Sequence, residues 1–119
     1  MSIHLDVENL PEILAERGPA AYLVTVRETR PHVVAVEVSE MDGLFLVAPG
    51  RRTAMNIAEH PDVTLLWPTD ENDPKHSLLV DGVGSMSADG EFLEIRPTSA
   101  VLHRVGGRRR LPPKESSST

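Results

Sequence analysis

The chain predicts a small, mainly β protein: six or seven mostly antiparallel strands curled into a barrel, with two short helices. Three observations carry this expectation. From Ala20 onward, apolar residues recur at every second position in a series of short stretches. One stretch, His32 to Val38, has Val34, Val36 and Val38 on one face and Val33, Ala35 and Glu37 on the other. Burial on both faces favours a curled sheet over an open one. Helical spacing occurs twice, each time over a short run closed by helix punctuation.

The elements follow in order. Met1 to Val7 reads as a loose lead-in. Leu10, Ile13 and Leu14 then form an apolar stripe, with Asn9 as N-cap and Pro11 in the first turn. Glu12 suits the start of that helix, Arg17 its end, and Gly18 the left-handed exit. Such a helix plugs one end of a sheet. Tyr22, Val24 and Val26 next share one strand face, with Leu23 and Thr25 on the other. A turn at Glu28 to Pro31 leads into His32 to Val38, and Met41-Asp42-Gly43 signals a hairpin before Leu44 to Ala48. After a Pro-Gly break, Ala54, Met55 and Ala58 fall at helical spacing until His60-Pro61 stops the helix. Val63, Leu65 and Trp67 then share a strand face.

Pro68 to Pro74 is a polar, acidic loop. It does not suit calcium, because Lys75 stands where such a loop needs Gly and Pro74 replaces a ligand. His76 to Val83 resumes as strand, Ala88-Asp89-Gly90 turns, Glu91 to Arg96 alternates again, and Val101 and Leu102 form a last apolar pair. A single domain over residues 1–104 is expected, followed by a disordered tail over 105–119 whose Arg108, Arg109 and Arg110 are solvated.

Composition narrows the function. No apolar run is long enough to span a bilayer and no leader is evident, so a soluble, cytoplasmic chain without membrane partners is expected. Cysteine is absent, which removes thiolate nucleophiles and thiolate metal sites. A formal charge of −6, with one Trp, one Tyr and two Phe, argues against nucleic acid as partner.

Arg51 and Arg52 open the second helix, where a cation is unfavourable by about 0.3–1 kcal/mol. They become favourable if an anion sits on the helix end, held by amides and guanidinium forks together. The alternative is that both point into water or pair with the many acids. Among the histidines, no two stand at an i,i+4 metal spacing, and neither a Gly-x-Ser-x-Gly elbow nor an HExxH motif occurs. His32 and His76 stand at strand entrances and read as surface residues, His60 ends a helix, and His103 reads as an edge-strand residue. No catalytic side chain and no metal site is identified. Either a bound cofactor carries the reaction, or the barrel binds a ligand without chemistry.

The succession GPAAYLVTV, RPHVVAVEV, DGLFLVAPGRRTAMNIAEHPDVTLLWP, SLLVDGVGSM and IRPTSAVLHR resembles the flavin-binding split-barrel family related to pyridoxamine 5′-phosphate oxidase. The likeness is to its small members that use FMN or the deazaflavin coenzyme F-420. It implies a split barrel that works as a homodimer, with the cofactor between subunits. Cofactor phosphate would fall on Arg52 with Arg51, while His32, Val33, Val34 and Ala35 would lie along the flavin. Leu46 and Val47 would line the groove floor, and Ser77 would reach the cofactor from the other subunit. The family's second basic position, commonly Lys, is Thr53 here, which offers a hydroxyl and no charge. The implied function is hydride transfer between FMN, or the deazaflavin, and a small organic substrate. The other reading is a non-catalytic barrel that stores the cofactor or serves as an interaction module.

Overall fold

The computed structural model describes residues 2–106. The expected tail therefore lies almost wholly outside the described residues. The strands are β1 (Ser2–Leu5), β2 (Ala20–Arg27), β3 (Arg30–Glu37), β4 (Ser39–Met41), β5 (Leu44–Val47), β6 (Asp62–Trp67), β7 (His76–Met86) and β8 (Leu93–Arg104). The helices are α1 (Leu10–Arg17) and α2 (Arg51–Glu59). Seven strands run in the order β3-β2-β6-β7-β8-β5-β4, every pair antiparallel, and β1 adds to β8. This is the mainly β, antiparallel split barrel with two short α-helices that the residues predict.

The core fills the inside of the curl. Leu23, Leu65, Val80, Leu93 and Ile95 are fully buried there, and Phe45 meets Trp67 edge to face at 6.0 Å. Trp67 Nε1 donates to the Gly18 carbonyl at 2.9 Å, so the indole packs without an unpaired polar atom. Leu10 of α1 is buried against this cluster, with Ile13 and Leu14 half-buried beside it, so α1 plugs the sheet as expected. Gly18 leaves α1 at φ +86°, and its N–H closes onto the Leu14 carbonyl. Asp42 (φ +55°) and Gly43 (φ +81°) make the tight turn that joins β4 to β5.

Four expectations need correction. Residues 2–5 are not a loose lead-in: they form β1, paired with Ala100–His103. Its partner lies at the opposite end of the chain, and a four-residue strand is too short to show a period. His103 is consequently not on an edge strand, since β8 lies between β1 and β7, and its Nδ1 is 3.2 Å from the Ser2 hydroxyl. Residues 93–104 form one strand where two stretches were read. Pro97 is accommodated because Thr98 bulges between the Asp81–Ser99 and Gly82–Pro97 pairs. In α2, Thr53, Asn56 and Ile57 are buried, whereas Met55 is 58% exposed and Ala58 is exposed.

The acidic loop is organised from within. Arg17, whose side chain is 7% exposed, donates to the Pro68 carbonyl (3.2 Å), the His76 carbonyl (3.1 Å) and the Asp73 carboxylate (3.0 Å). Asp73 Oδ1 also receives the Lys75 and His76 N–H groups and lies 3.1 Å from His76 Nδ1. His76 is therefore half-buried and paired, which corrects its reading as a surface residue. Desolvation pushes the Asp73 carboxyl up. The His76 hydrogen bond, the Lys75 N–H and the His76 and Arg17 charges outweigh it and hold the group below its ordinary value.

Two predictions test these features. A Cβ on Gly82 would lie 2.7 Å from the Arg96 carbonyl oxygen and 2.8 Å from Ile95 Cγ2. Gly82→Ala should lower unfolding stability by about 1–3 kcal/mol in urea titration, and an unchanged midpoint refutes the close approach. Because the folded Asp73 carboxyl is depressed, its contribution is complete above the unfolded range near pH 4 and is lost as pH falls through the folded value. The stability gap between wild type and Asp73→Asn should therefore shrink below about pH 4. A gap that stays constant to pH 2 would remove the carboxylate from the loop's energetics.

Candidate functional site

The helix α2 begins where the Pro49-Gly50 break ends β5. Gly50 is the N-cap residue, its backbone is extended, and its carbonyl accepts the Ala54 N–H at 3.0 Å. Glycine offers no capping side chain, and no acidic residue stands in the first turn. The N–H groups of Arg51, Arg52 and Thr53 thus reach the helix start without an intrahelical acceptor. Two guanidiniums stand beside these amides, both on exposed residues.

A buried hydrogen bond fixes this helix against the sheet. Asn56 Nδ2 donates to Thr25 Oγ1 at 3.0 Å, and both residues are almost wholly buried. Thr25 is directly opposite His32 in the β2–β3 ladder, as Leu23 is opposite Val34 and Ala21 is opposite Val36. These six residues therefore share the inner face of the hairpin. His32 is half-buried there, which corrects its reading as a surface residue.

Between this hairpin and the start of α2 lies a cavity of about 340 Å³, within the range of small-molecule sites, roughly 300–1,000 Å³. One wall is β3, with His32, Val34, Ala35 and Val36; the facing wall is residues 48–53, and Leu23 also lines it. Among the described residues, no carboxylate lines it. His32 Nδ1 is buried and has no hydrogen-bond partner, the one such side-chain atom found among the described residues. Arg52 also lines an adjoining cavity of about 260 Å³ with Arg27, Glu28, Met55, Asn56 and Glu59.

Of the residues singled out from the sequence, the cavity brings together His32, Val34, Ala35, Arg51, Arg52 and Thr53. The others lie elsewhere. Val33 is 54% exposed and belongs to the opposite sheet face. Val47 is buried in the core, and Leu46 lines a separate groove of about 480 Å³ with Met41, Leu44 and Phe92. Ser77 pairs with His103 outside the cavity. The sequence reading missed Thr25 and Asn56. A polar Asn three residues before the helix end, beside the apolar Ile57, was the available signal.

No protein-family model matches the chain. It is 38% identical over 117 residues to the uncharacterized proteins Mb0449c of Mycobacterium bovis and MT0457 of Mycobacterium tuberculosis, an alignment covering 84% of this chain and 80% of each relative. Among solved structures, it is similar to a FAD-binding protein of Mesorhizobium loti (TM-score 0.66, 14% identity, 86% of this chain and 96% of that one). A candidate pyridoxamine 5′-phosphate oxidase of Listeria innocua gives a TM-score of 0.64 at 13% identity, with 82% and 98% covered. An F-420 reductase gives 0.62 at 22% identity, with 75% and 94% covered. The fold is that of the flavin-binding split barrels related to pyridoxamine 5′-phosphate oxidase. The chain belongs to one family with the two mycobacterial proteins.

The Asn56–Thr25 bond is testable by stability. Thr25→Val leaves a buried amide donor unpaired and should cost about 1–3 kcal/mol. Pairing it with Asn56→Leu should restore part of that loss, and additive losses in the double-mutant cycle refute the coupling.

Proposed function

We propose that this chain is a flavin-dependent oxidoreductase that binds FMN, or the deazaflavin coenzyme F-420, in the cavity at the start of α2. The observation that carries the reading is the uncapped first turn of α2, flanked by Arg51 and Arg52, on a cavity without carboxylates. Phosphate suits such a site in charge and in hydrogen-bond geometry. When bound, the cofactor ring supplies the hydride chemistry. The residues of the chain do the rest: Arg51, Arg52 and the amides hold the phosphate, Thr53 adds a hydroxyl, and Val34 and Val36 exclude water from the cavity wall. A small organic molecule is the proposed substrate.

A homodimer is part of this proposal. On the outer sheet face, Ala35, Tyr22, Leu66, Leu79 and Val101 are register partners in turn, forming an apolar rung across β3, β2, β6, β7 and β8. Tyr22 and Val33 on this face are large exposed apolar residues. A second copy would cover them, and its Ser77 would be the added polar contact. No described helix is long and apolar enough to cross a membrane, and the proposed compartment is the cytoplasm.

Titration with FMN and the deazaflavin tests the site directly. Arg52→Ala should weaken FMN about tenfold or more, the equivalent of one charge-assisted hydrogen bond of about 1.5–3 kcal/mol, and should leave riboflavin nearly unaffected. Equal losses for both ligands make the arginine structural and sink the phosphate assignment. Bound flavin that neither accepts hydride from reduced nicotinamide nor passes it to a redox dye would favour the storage reading.

A further inference from the structure

We propose that anion binding in the α2 cavity is coupled to uptake of a proton by His32, so that the imidazole closes the cradle as a third cationic donor. The inference rests on the phosphate reading above and adds to it a pH dependence that belongs to this chain's own residue.

His32 stands on β3, across the cavity from the start of α2, and its buried Nδ1 meets neither donor nor acceptor. Beside it on β2 is Thr25, whose hydroxyl already receives the Asn56 amide. From α2 come Arg51 and Arg52, which offer donors alone, and the Thr53 hydroxyl. Leu23, Val34 and Val36 are apolar. The charged groups of the neighbouring β2–β3 turn are Arg27, Glu28 and Arg30. Glu28 lines the adjoining cavity with Arg27, Arg52 and Glu59 of α2, so neither carboxylate lines the cavity that holds His32.

The residues that line the cavity with His32 thus include two guanidiniums and, among the described residues, no carboxylate. A phosphate changes both terms at once: its oxygens accept the new N–H, and its charge offsets the guanidiniums. A half-turn about Cβ–Cγ exchanges the two sides of the ring, so either nitrogen can be presented to the anion. The balance is simple. One proton moves from solvent to the imidazole, and no other bond forms or breaks.

The test is calorimetric titration of the full chain with FMN at pH 7, in two phosphate-free buffers of different ionisation enthalpy. The difference in heat counts protons taken up. His32→Gln keeps a polar side chain that does not titrate, and proton release from the FMN phosphate itself is common to both proteins. Wild type should take up more protons than the variant. Its advantage in affinity should widen as pH falls, by at most about tenfold per pH unit. Equal proton balance in two proteins that both bind FMN overturns the inference and leaves the phosphate site standing. If neither FMN nor the deazaflavin binds wild type, the phosphate site itself is gone and the inference with it. Should His32→Gln fail to fold, the imidazole C–H resonances of wild-type His32 decide. A shift to the doubly protonated position on FMN addition supports the coupling, and no shift refutes it.

Discussion

The hydrogen bond from the Asn56 amide to the Thr25 hydroxyl determines how α2 lies on the sheet, and the candidate site follows from that orientation. Burying Met55 and Ala58 instead would have exposed Ile57, which packs in the core. It would also have turned Asn56 outward and left the Thr25 hydroxyl facing an apolar wall. A buried polar pair is costly when half made, so it reinforces the roll of the helix that also buries Ile57. Asn56 lies four residues beyond Arg52, one helical turn along the same face. Fixing one therefore fixes the direction from which the other approaches the cavity.

The β7–β8 half of the sheet provides rigidity without lining that cavity. β8 pairs with β7 along its length and carries β5 and β1 end to end on its other side. The bulge at Thr98 lets this long strand bend while keeping Pro97 out of an unbroken ladder. Gly82 sits against that bend because the Arg96 carbonyl leaves no room for a side chain. The cavity walls, by contrast, come from β2, β3 and the turn into α2.

Much of this was legible from residue order because the signals are local. Period-two alternation located β2, β3 and β6, an Asp-Gly pair located the β4–β5 turn, and Pro-Gly and His-Pro bracketed α2. The pair of arginines at a helix start pointed to the cavity because their placement runs against the helix dipole. What stayed hidden depends on partners far away in the chain. β1 has meaning only against residues 100–103, the continuity of β8 only against β7, and the burial of Asn56 only against Thr25. Apolar spacing in α2 pointed to the wrong face because the buried side combines one large apolar residue, Ile57, with the polar Thr53 and Asn56. Val33, Leu46, Val47 and Ser77 entered by resemblance, and within one protomer none of them reaches the cavity.

Because every residue lining the cavity at the start of α2 precedes β6, while the β7–β8 ladder is built from later residues, cavity and ladder are encoded in separate parts of the chain. Drift at those lining positions can alter the shape and charge of the cavity without disturbing the β7–β8 register. A library randomised only at the exposed and half-buried lining positions, with Phe45 and Val47 of β5 kept, would vary the cavity on an intact frame.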